Sequence, residues 1–529
     1  MSDPVRVLIA DKMDPRAAAI FRERGIEVDE KPGLSADELR EVIKNYDGLA
    51  VRSSTRVNAA VMDSALPRLK VIGRAGIGVD TIDVPAASAR GIVVMNTPFG
   101  NSITTAEHAI AMLFALAREI PQADQSTQSG KWEKNRFMGV ELAGKTLGLI
   151  GCGNIGSIVA DRAHGLKMKV IAYDPFLSPE RAIELGVEKV ELDDLLARSE
   201  FITLHTPLTD QTRGILSREA LAKTRPGVRI VNYARGGLVD ELALKEGLET
   251  GHVAGAALDV FAEEPARDNE LFGTRGLICT PHLGASTTEA QVNVAIQVAE
   301  QMCDFLLLGG ITNAVNVPSL SAEEAPRLRP YMALAEKLGR LVGQIAGTEI
   351  RSIDIEVEGA AAELNIKPIS GAVLAGLMRT WSDTVNMVNA PYLAKERGIA
   401  VREIRNEGES DYHTLVVVTV GTEHGSKRVE GTLFGNRAPR LVNIFGIPVE
   451  AELAGQMIYI VNNDAPGFIG ALGTKLGENE INIATFNLGR RQEKGEAVAL
   501  VAVDDPITPE VARQLHELPG VLEVVPLSF

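Results

Sequence analysis

The chain has 529 residues, of which 45% are hydrophobic, so we expect three or four domains and no single common core. The 70 acidic residues outnumber the 54 lysines and arginines, and the net charge of −16 argues against a general affinity for nucleic acid or for an anionic membrane. The three scattered cysteines, Cys152, Cys279 and Cys303, indicate neither a disulfide framework nor a metal site, and with no apolar run long enough to span a bilayer they favour a cytoplasmic protein.

The first hundred residues alternate β-branched runs with helical patterns, which is typical of βαβ units and a parallel sheet. The predicted strands are residues 5–10, 48–51, 71–73 and 92–96, and the clearest helix is residues 36–45. This unit is too short to complete its own core, so we expect a later predicted helix, residues 286–308, to return and pack against it. The first predicted domain is therefore discontinuous and comprises residues 1–99 and 285–317.

A second α/β unit, predicted to cover residues 100–284, begins with a long apolar helix at residues 104–118. Its six predicted strands are residues 146–150, 169–173, 201–204, 229–232, 255–259 and 277–280. Each strand is followed by a helix or a loop of suitable length, and six such repeats fit a complete dinucleotide-binding sheet.

The prolines in residues 316–318 and 325–330 predict a linker after the two α/β units. Beyond it, a third domain of the α+β class is predicted over residues 318–454, with strands at 349–358, 414–419 and 428–434 and helices at 372–379 and 381–395. No catalytic constellation is visible there. The last predicted domain, residues 455–529, has its elements at 457–461, 467–477, 481–488, 496–503, 509–517 and 522–526, in the ferredoxin-like order βαββαβ.

A glycine-rich turn follows the predicted strand 146–150 and leads into a helix. Gly151 permits the tight turn, Gly153 allows a pyrophosphate to approach the backbone, and Gly156 allows the helix to pack closely on the strand. The next strand ends in Asp174, whose carboxylate can accept hydrogen bonds from ribose hydroxyls and would repel a 2′-phosphate. The pattern therefore favours NAD over NADP. The predicted cofactor contacts are Gly151, Gly153, Asn154, Ile155, Gly156, Asp174, Thr206, Tyr233, Ala234, Arg235, Asp259 and His282.

Three later strands end in polar segments, where parallel sheets present ligands. Hydride transfer from a hydroxyl needs a base, and His282 is suited to this role because histidine titrates near neutral pH. Glu264 is expected to orient that imidazole, and Arg235 to pair with a substrate carboxylate. Taken singly, His282 also fits an ordinary loop residue, Glu264 a solvated turn and Arg235 a helix cap.

At residues 151–156, 232–237, 259–265 and 281–284 the chain resembles the D-isomer-specific 2-hydroxyacid dehydrogenases. The resemblance extends over residues 5–317 and implies two Rossmann-like, doubly wound domains, one for the substrate and one for NAD. It implies that Arg235, Glu264 and His282 are catalytic. Likeness to the long, four-domain members further implies an intervening domain, a C-terminal ACT domain, and oxidation of 3-phospho-D-glycerate in the first step of L-serine biosynthesis.

The same resemblance implies how a phosphorylated 2-hydroxy acid would be held. Arg52 and Arg74 stand at strand ends, as in the family members that act on phosphoglycerate, and Asn101 and Ser102 offer donors to the substrate carboxylate or simply cap a helix. The predicted substrate contacts are Arg52, Ser53, Arg74, Asn101, Ser102, Arg235 and His282.

Regulation and assembly are also expected by resemblance. An ACT domain binds an amino acid after its first strand across a dimer interface, which predicts a serine effector site at Asn462, Asp464 and Asn482 and a homo-oligomer, either dimer or tetramer. Two other functions stay open at this point. The chain also fits another D-2-hydroxyacid dehydrogenase, such as a glyoxylate or hydroxypyruvate reductase, and a non-catalytic, NAD-sensing protein of the corepressor type.

Overall fold

The computed structural model describes residues 3–321, 323–347, 349–382, 384–406, 412–423 and 425–529, and within them the strands form four sheets. The first sheet is parallel, in the order β2-β1-β3-β4-β5. Its elements are β1 (Arg6–Ile9), α1 (Arg16–Glu23), β2 (Glu27–Glu30), α2 (Ala36–Val42), β3 (Gly48–Val51), α3 (Ala59–Ala65), β4 (Val71–Arg74), α4 (Val84–Ala89) and β5 (Val93–Met95). The sequence analysis missed β2, a charged strand at the sheet edge that has no apolar alternation.

The second sheet is also parallel, in the order β12-β11-β10-β9-β6-β7-β8. It is built from α5 (Ser102–Arg118), α6 (Ile120–Gln128), β6 (Thr146–Ile150), α7 (Asn154–Gly165), β7 (Lys169–Tyr173), α8 (Pro179–Glu184), β8 (Glu188–Lys189), α9 (Leu192–Arg198), β9 (Phe201–Leu204), α10 (Arg218–Ala222), β10 (Val228–Asn232), α11 (Glu241–Thr250), β11 (Val253–Leu258) and β12 (Leu277–Cys279). The prediction of two Rossmann-like parallel sheets is confirmed.

Helix α12 (Thr288–Cys303) follows the second sheet but packs on the first one. A side chain at Gly73 in β4 would clash with Met302, so the helix lies directly against the strand. The chain then stays on this sheet, where Asn316 accepts a hydrogen bond from the Val94 amide at 2.9 Å and donates one to the Ile92 carbonyl at 2.8 Å. These contacts complete the core that the first hundred residues cannot form alone.

The third sheet is mixed, in the order β14-β13-β15-β16-β17-β18. Its elements are α13 (Ala325–Ile345), β13 (Ile350–Gly359), α14 (Ile366–Met378), α15 (Ala390–Glu396), β14 (Ala400–Asn406), β15 (Thr414–Thr422), β16 (Gly425–Phe434), β17 (Ala438–Ile444) and β18 (Ile447–Ala451). The sequence analysis missed β14, β17 and β18. The predicted helix at 381–395 is wrong in its first half, because helix begins at Ala390; Asp383 lies outside the described residues.

The predicted linker at residues 325–330 is wrong, because these residues form the first turns of α13. Pro326 occupies the first turn, where the missing amide costs nothing. Pro330 lies inside the helix, but a long apolar stripe including Leu334 and Leu338 is buried and outweighs its cost. Gly339 lets α13 approach α14 so closely that a side chain there would clash with the Val373 carbonyl.

The fourth sheet is antiparallel, in the order β20-β21-β19-β22. Its elements are β19 (Gln456–Asn463), α16 (Phe468–Glu478), β20 (Ile483–Arg490), β21 (Glu496–Val503), α17 (Pro509–His516) and β22 (Val521–Ser528). The predicted ferredoxin-like βαββαβ order is therefore confirmed. Among the described residues, no helix is both long and apolar enough to cross a membrane.

Candidate active site

The glycine turn between β6 and α7 has the geometry that a bound pyrophosphate needs. Gly151 has a φ of +93°, and a side chain there would come within 2.6 Å of the His205 carbonyl. A side chain at Gly156 would clash with the Gly151 carbonyl. A Cβ at Gly153 would meet no atom within 4 Å, and Gly153 caps α7 without a side chain, so the first amides of the helix face open space. The turn therefore fits a dinucleotide.

Asp174 closes the far side of this turn. Its carboxylate accepts hydrogen bonds from the amides of Cys152 and Phe176, both at 2.8 Å. A carboxylate has about four acceptor positions, so it can still accept ribose hydroxyls. Asn154 and Ile155 start α7 beside it, and the Thr206 amide would lie 3.1 Å from a Cβ at Gly151. The sequence-predicted residues of this half of the site therefore surround one turn.

The catalytic pair expected from the sequence is in direct contact. His282 Nδ1 lies 2.7 Å from Glu264 Oε2, and Glu264 Oε1 accepts the Phe261 amide at 3.0 Å. Burial works to raise the pKa of Glu264, but the hydrogen bonds from His282 and Phe261 and the charges of His282 and Arg235 outweigh it and lower the pKa. The ionised carboxylate thus fixes a proton on Nδ1 and leaves Nε2 free to accept one.

The loop that carries His282 is held by Asp259. The Asp259 carboxylate is 1% exposed and accepts hydrogen bonds from the Thr280 hydroxyl at 2.6 Å and from the Leu283 and Gly284 amides, both at 2.7 Å. His282 itself has a φ of +56°, a left-handed conformation that only a firmly held loop maintains in a residue with a Cβ. The carboxylate of Asp259 therefore organises the loop, a contact that the sequence prediction of a place near the nicotinamide did not include.

Arg235 reaches from the second sheet to the loop after β4. Its Nε donates to Asp80 Oδ2 at 3.0 Å, its Nη1 donates to the Ala234 carbonyl at 2.6 Å, and its remaining nitrogen lies against Gly78. Asn232 shapes this loop by donating to the Arg235 carbonyl at 2.9 Å. Since the charge of Arg235 also acts on Glu264, the structure brings Arg235, Glu264 and His282 together.

The aromatic and small residues after β10 are buried beneath these charges. The Tyr233 hydroxyl lies 3.0 Å from the Thr280 hydroxyl, and the Ala234 amide donates to the Asn232 side chain at 3.1 Å. Both residues are less than 10% exposed. Tyr233 and Ala234 therefore contribute a rigid wall to the site.

Arg52, after β3, and Arg235, after β10, both act with their charges on Arg74 at the end of β4. Burial first, and then the positive charges of Arg235 and Arg52, lower the pKa of Arg74 to about 10, although Asp80 and Asp11 oppose the shift. Arg74 stays cationic at neutral pH, and its buried Nε has no hydrogen-bond partner among the described residues. Cations held this close together in a chain of negative net charge indicate an anionic ligand.

The remaining predicted substrate contacts follow β3 or lie at the start of α5. Arg52 donates from its backbone to Asp11 at 2.5 Å, and Ser53 next to it is exposed. Asn101 does not cap α5 through its side chain; its Oδ1 is buried and, in the described part of the chain, unpartnered. Ser102 donates to the Pro98 carbonyl at 2.7 Å. The unpaired amide oxygen is an acceptor, so a ligand that satisfied it would have to bring a donor such as a hydroxyl.

Two functional residues were missed by the sequence analysis. Asp80 pairs with Arg235 and lies in the glycine-rich loop after β4, which was the available signal. His205 directly follows β9, in the same position relative to its strand as Asp259 after β11. Burial lowers the pKa of His205 to about 3. The imidazole is therefore neutral, and its Nε2 lies 2.9 Å from the Thr203 hydroxyl, while the backbone of His205 packs against the glycine turn.

The predicted effector residues do not meet within one chain. Asn462 pairs with Ala497 near one end of the β19–β21 ladder, and Asp464 beside it accepts Arg490 at 2.8 Å. Asn482 donates to Asp504 at 2.8 Å, beyond the opposite end of the ladder. The separation along the strands is about 20 Å at 3.3 Å per residue.

The described residues also contain no cluster of three or more histidine, cysteine or acidic side chains that would hold a metal ion.

Comparisons with known proteins agree with this geometry. A family model described as the NAD binding domain of D-isomer specific 2-hydroxyacid dehydrogenase matches residues 110–284, and one described as the D-3-phosphoglycerate dehydrogenase intervening domain matches residues 327–445. The chain is 42% identical to a D-3-phosphoglycerate dehydrogenase of Synechocystis sp., covering 98% of this chain and 93% of that protein. It is 43% identical to the D-3-phosphoglycerate dehydrogenase of Archaeoglobus fulgidus, covering 98% and 99%.

Solved structures resemble the first two sheets. A glyoxylate reductase from Paecilomyes thermophila is 28% identical with a TM-score of 0.56, covering 59% of this chain and 99% of that one. A D-lactate dehydrogenase from Aquifex aeolicus, solved with NAD and lactic acid, is 26% identical with a TM-score of 0.53, covering 59% and 100%. Each of these two structures therefore leaves about two fifths of this chain without a counterpart.

Proposed function

This chain belongs to the D-3-phosphoglycerate dehydrogenases, and from that premise we propose that it uses NAD to oxidise 3-phospho-D-glycerate to 3-phosphohydroxypyruvate, the first step of L-serine biosynthesis. The chain is 42% and 43% identical, over 98% of its length, to relatives that share this one activity. That similarity favours this function over another 2-hydroxyacid dehydrogenase activity and over a non-catalytic sensor. The observation that carries the proposal is that His282 and Glu264 are in contact, that Arg235 lies near them, and that Arg52 and Arg74 lie near Arg235.

The side chains divide the chemistry between them. NAD, held by the glycine turn before α7 and by Asp174, would supply the hydride acceptor. His282 Nε2 accepts the hydroxyl proton, and the Glu264 carboxylate stabilises the imidazolium that results. Arg235 pairs with the substrate carboxylate, with Asn101 and Ser102 at its other side. Arg74, with Arg52 and Ser53, holds the phosphate, so that the reacting hydroxyl is fixed between two anchored ends.

Assembly and location complete the proposal. We place the substrate-binding domain at residues 1–99 and 285–317, the NAD-binding domain at 100–284, the intervening domain at 318–454 and the ACT domain at 455–529, and each sheet lies inside one of them. The protein is a cytoplasmic homo-oligomer. The assembly into an oligomer is supported by the loop before β6, which exposes Trp132 and Met138 to 87% and 79%. Large apolar side chains that are this exposed favour a protein contact.

The phosphate anchor is tested by the double variant Arg52→Ala, Arg74→Ala. A charge-assisted hydrogen bond contributes about 1.5–3 kcal/mol, so kcat/KM for 3-phosphoglycerate is expected to fall about 100-fold or more. The value for unphosphorylated 2-hydroxy acids should change little. The measurement is NADH formation with a panel of phosphorylated and unphosphorylated acids. Arg56→Ala is the matched control, because Arg56 is exposed on the same loop. An unchanged preference for the phosphorylated substrate in the double variant would contradict the proposed function.

Serine is proposed to inhibit the enzyme through the fourth sheet. Because Asn482 lies far from Asn462 and Asp464 in one chain, the effector would bridge two copies. Millimolar serine is expected to lower the activity of the intact enzyme, and Asn482→Ala should raise the half-inhibiting concentration about tenfold, the effect of losing one hydrogen bond to a charged group. Asp505→Ala, an exposed change in the same domain, serves as control. Full activity of the unmodified enzyme in serine would remove the proposal.

A further inference from the structure

The ring of Tyr233, two residues before Arg235, is fixed by helix α5. The His108 ring in α5 meets it edge to face, with the two ring centroids 4.7 Å apart and the ring planes at 68°. Tyr233 is 4% exposed, so the ring is packed on its other sides as well. The phenol hydroxyl is therefore held at one point, 3.0 Å from the Thr280 hydroxyl.

The hydrogen bonds at Thr280 can run in only one direction. A hydroxyl has a single proton, and the Thr280 hydroxyl donates its proton to Asp259 Oδ1 at 2.6 Å. The other bond must therefore be donated by the Tyr233 hydroxyl and accepted by Thr280 Oγ1. Burial raises the pKa of Tyr233, so the phenol keeps this proton throughout the neutral range. The chain of donors runs from Tyr233 through Thr280 to the Asp259 carboxylate.

This chain ends on the carboxylate that holds the two residues after His282. Asp259 accepts the amides of residues 283 and 284, each at 2.7 Å, in addition to the Thr280 hydroxyl. A hydroxyl that accepts a hydrogen bond is polarised, and the bond that it donates in turn becomes stronger. The Tyr233 hydroxyl thus strengthens the contact between Thr280 and Asp259.

His282 depends on this support because its backbone has the left-handed φ of +56°. Thr105 of α5 supports the same loop by donating to the Gly284 carbonyl at 2.8 Å. A weaker hold would let the backbone of His282 relax, and the imidazole that lies 2.7 Å from Glu264 would turn with it. General-base catalysis requires the accepting nitrogen within hydrogen-bond reach of the substrate hydroxyl, so such a turn would slow the chemical step.

We propose that Tyr233 is a positioning residue for the oxidation, and that its hydroxyl acts through Thr280 and Asp259 to keep His282 aligned with the substrate hydroxyl. The inference rests on the proposed function, in which His282 is the base. It gives Tyr233 a part in turnover that a wall of the cofactor site would not have. Loss of a wall contact weakens cofactor binding, whereas loss of a positioning hydroxyl lowers kcat.

Tyr233→Phe keeps the ring against His108 and removes only the hydroxyl. The kcat for 3-phosphoglycerate should fall about three- to tenfold, the effect of losing one ordinary hydrogen bond. The KM values for NAD and for the substrate should change by less than about twofold. With substrate deuterated at the carbon that loses hydride, the isotope effect on kcat should rise, because a misplaced base slows the chemical step. Loss of stability alone would produce neither result.

Thr280→Val shows whether Tyr233 acts through Thr280, since valine has the shape of threonine without the hydroxyl. This variant should lower kcat about tenfold or more, because the buried Asp259 carboxylate loses a donor. Adding Tyr233→Phe to it should lower kcat by less than about twofold further, since the chain of donors is already broken. Losses that simply multiply in the double variant would contradict the proposal, because Tyr233 would then act independently of Thr280.

Tyr46→Phe is the matched control. Tyr46 is 2% exposed, and its hydroxyl donates to Asp29 at 2.6 Å beside the first sheet. The variant therefore loses a buried bond from a tyrosine hydroxyl, as Tyr233→Phe does, but not one that leads to His282. Its melting temperature should fall, while kcat and the isotope effect should stay at the values of the unmodified enzyme.

Hydrogen exchange measures the same support without turnover. In Tyr233→Phe the amides of residues 283 and 284 should exchange about three- to tenfold faster, as expected when a local opening loses one hydrogen bond. Mass spectrometry of a peptide containing these residues gives the rates, and Tyr46→Phe should leave them unchanged. Unchanged exchange in Tyr233→Phe would overturn the inference. If the unmodified enzyme failed to oxidise 3-phosphoglycerate, the proposed function would fall, but the exchange rates would still decide whether Tyr233 holds the loop.

Discussion

Replacing His282 by asparagine is expected to lower kcat by about 10²- to 10⁴-fold, the usual contribution of a positioned general base. The affinity for NAD should change by no more than a few-fold. Asparagine suits the test because His282 has a φ of +56°, a conformation that asparagine adopts more readily than most residues. The loop tied to Asp259 should therefore keep its path, and the loss will report the missing imidazole.

Steady-state kinetics with 3-phosphoglycerate and a fluorescence titration with NADH give the two quantities needed. A variant that loses NADH affinity in proportion to kcat would contradict the assignment of His282 as the base, because the imidazole would then be a cofactor contact. The substrate Kd, measured with the nearly inactive His282→Asn variant, should remain close to that of the unmodified enzyme.

Glu264→Gln supplies the matched test of the partner. The amide keeps the size of the side chain and can still accept the Phe261 amide, but it removes the negative charge beside His282. A carboxylate favours the protonated imidazole, so its loss should move the acidic limb of the kcat/KM profile to lower pH. In the unmodified enzyme the pKa of Glu264 is lowered, so its stabilising charge is present at neutral pH and is lost only as the pH falls through that lowered value.

The parts of the fold with strong patterns could be predicted closely from the sequence. Strands β6, β7 and β9 begin and end at the predicted residues, because buried parallel strands form nearly continuous apolar runs. Edge strands such as β2, with the sequence Glu-Val-Asp-Glu, lack that pattern since neither face is fully buried. The first turns of α13, residues 325–330, were mistaken for a linker because two prolines are a local signal, whereas the packing that outweighs Pro330 comes from residues far along the chain.

The candidate active site likewise contains features that could be predicted from the sequence and features that could not. The meeting of Arg235, Glu264 and His282 could be predicted because each follows a strand of one parallel sheet, and such strand ends meet at one edge. Their catalytic roles remain a prediction. The partners of these residues were not predictable, since Asp80 belongs to the first sheet and reaches Arg235 across the gap between the sheets. Nor could spacing reveal that the Asp259 carboxylate turns inward to hold the loop carrying His282, because residue order alone does not give side-chain direction.

Replacing Arg235 by glutamine should reduce kcat/KM by about 10²- to 10³-fold, the range expected when one partner of a desolvated charge pair is truncated. The guanidinium is oriented by Asp80 and by the Ala234 carbonyl, and its remaining nitrogen lies against Gly78. Arg235→Lys keeps the charge but loses the planar fork, so it should recover only part of the activity. Asp80→Asn, which removes only the orienting charge, should cost about tenfold.

The substrate panel distinguishes this role from that of the other arginines. Because Arg235 is assigned to the carboxylate that every 2-hydroxy acid carries, Arg235→Gln should lower kcat/KM by a similar factor for phosphorylated and unphosphorylated acids. The Arg52 and Arg74 double variant should instead lose activity only toward the phosphorylated ones. If Arg235→Gln impaired phosphorylated substrates alone, the carboxylate and phosphate assignments would have to be exchanged.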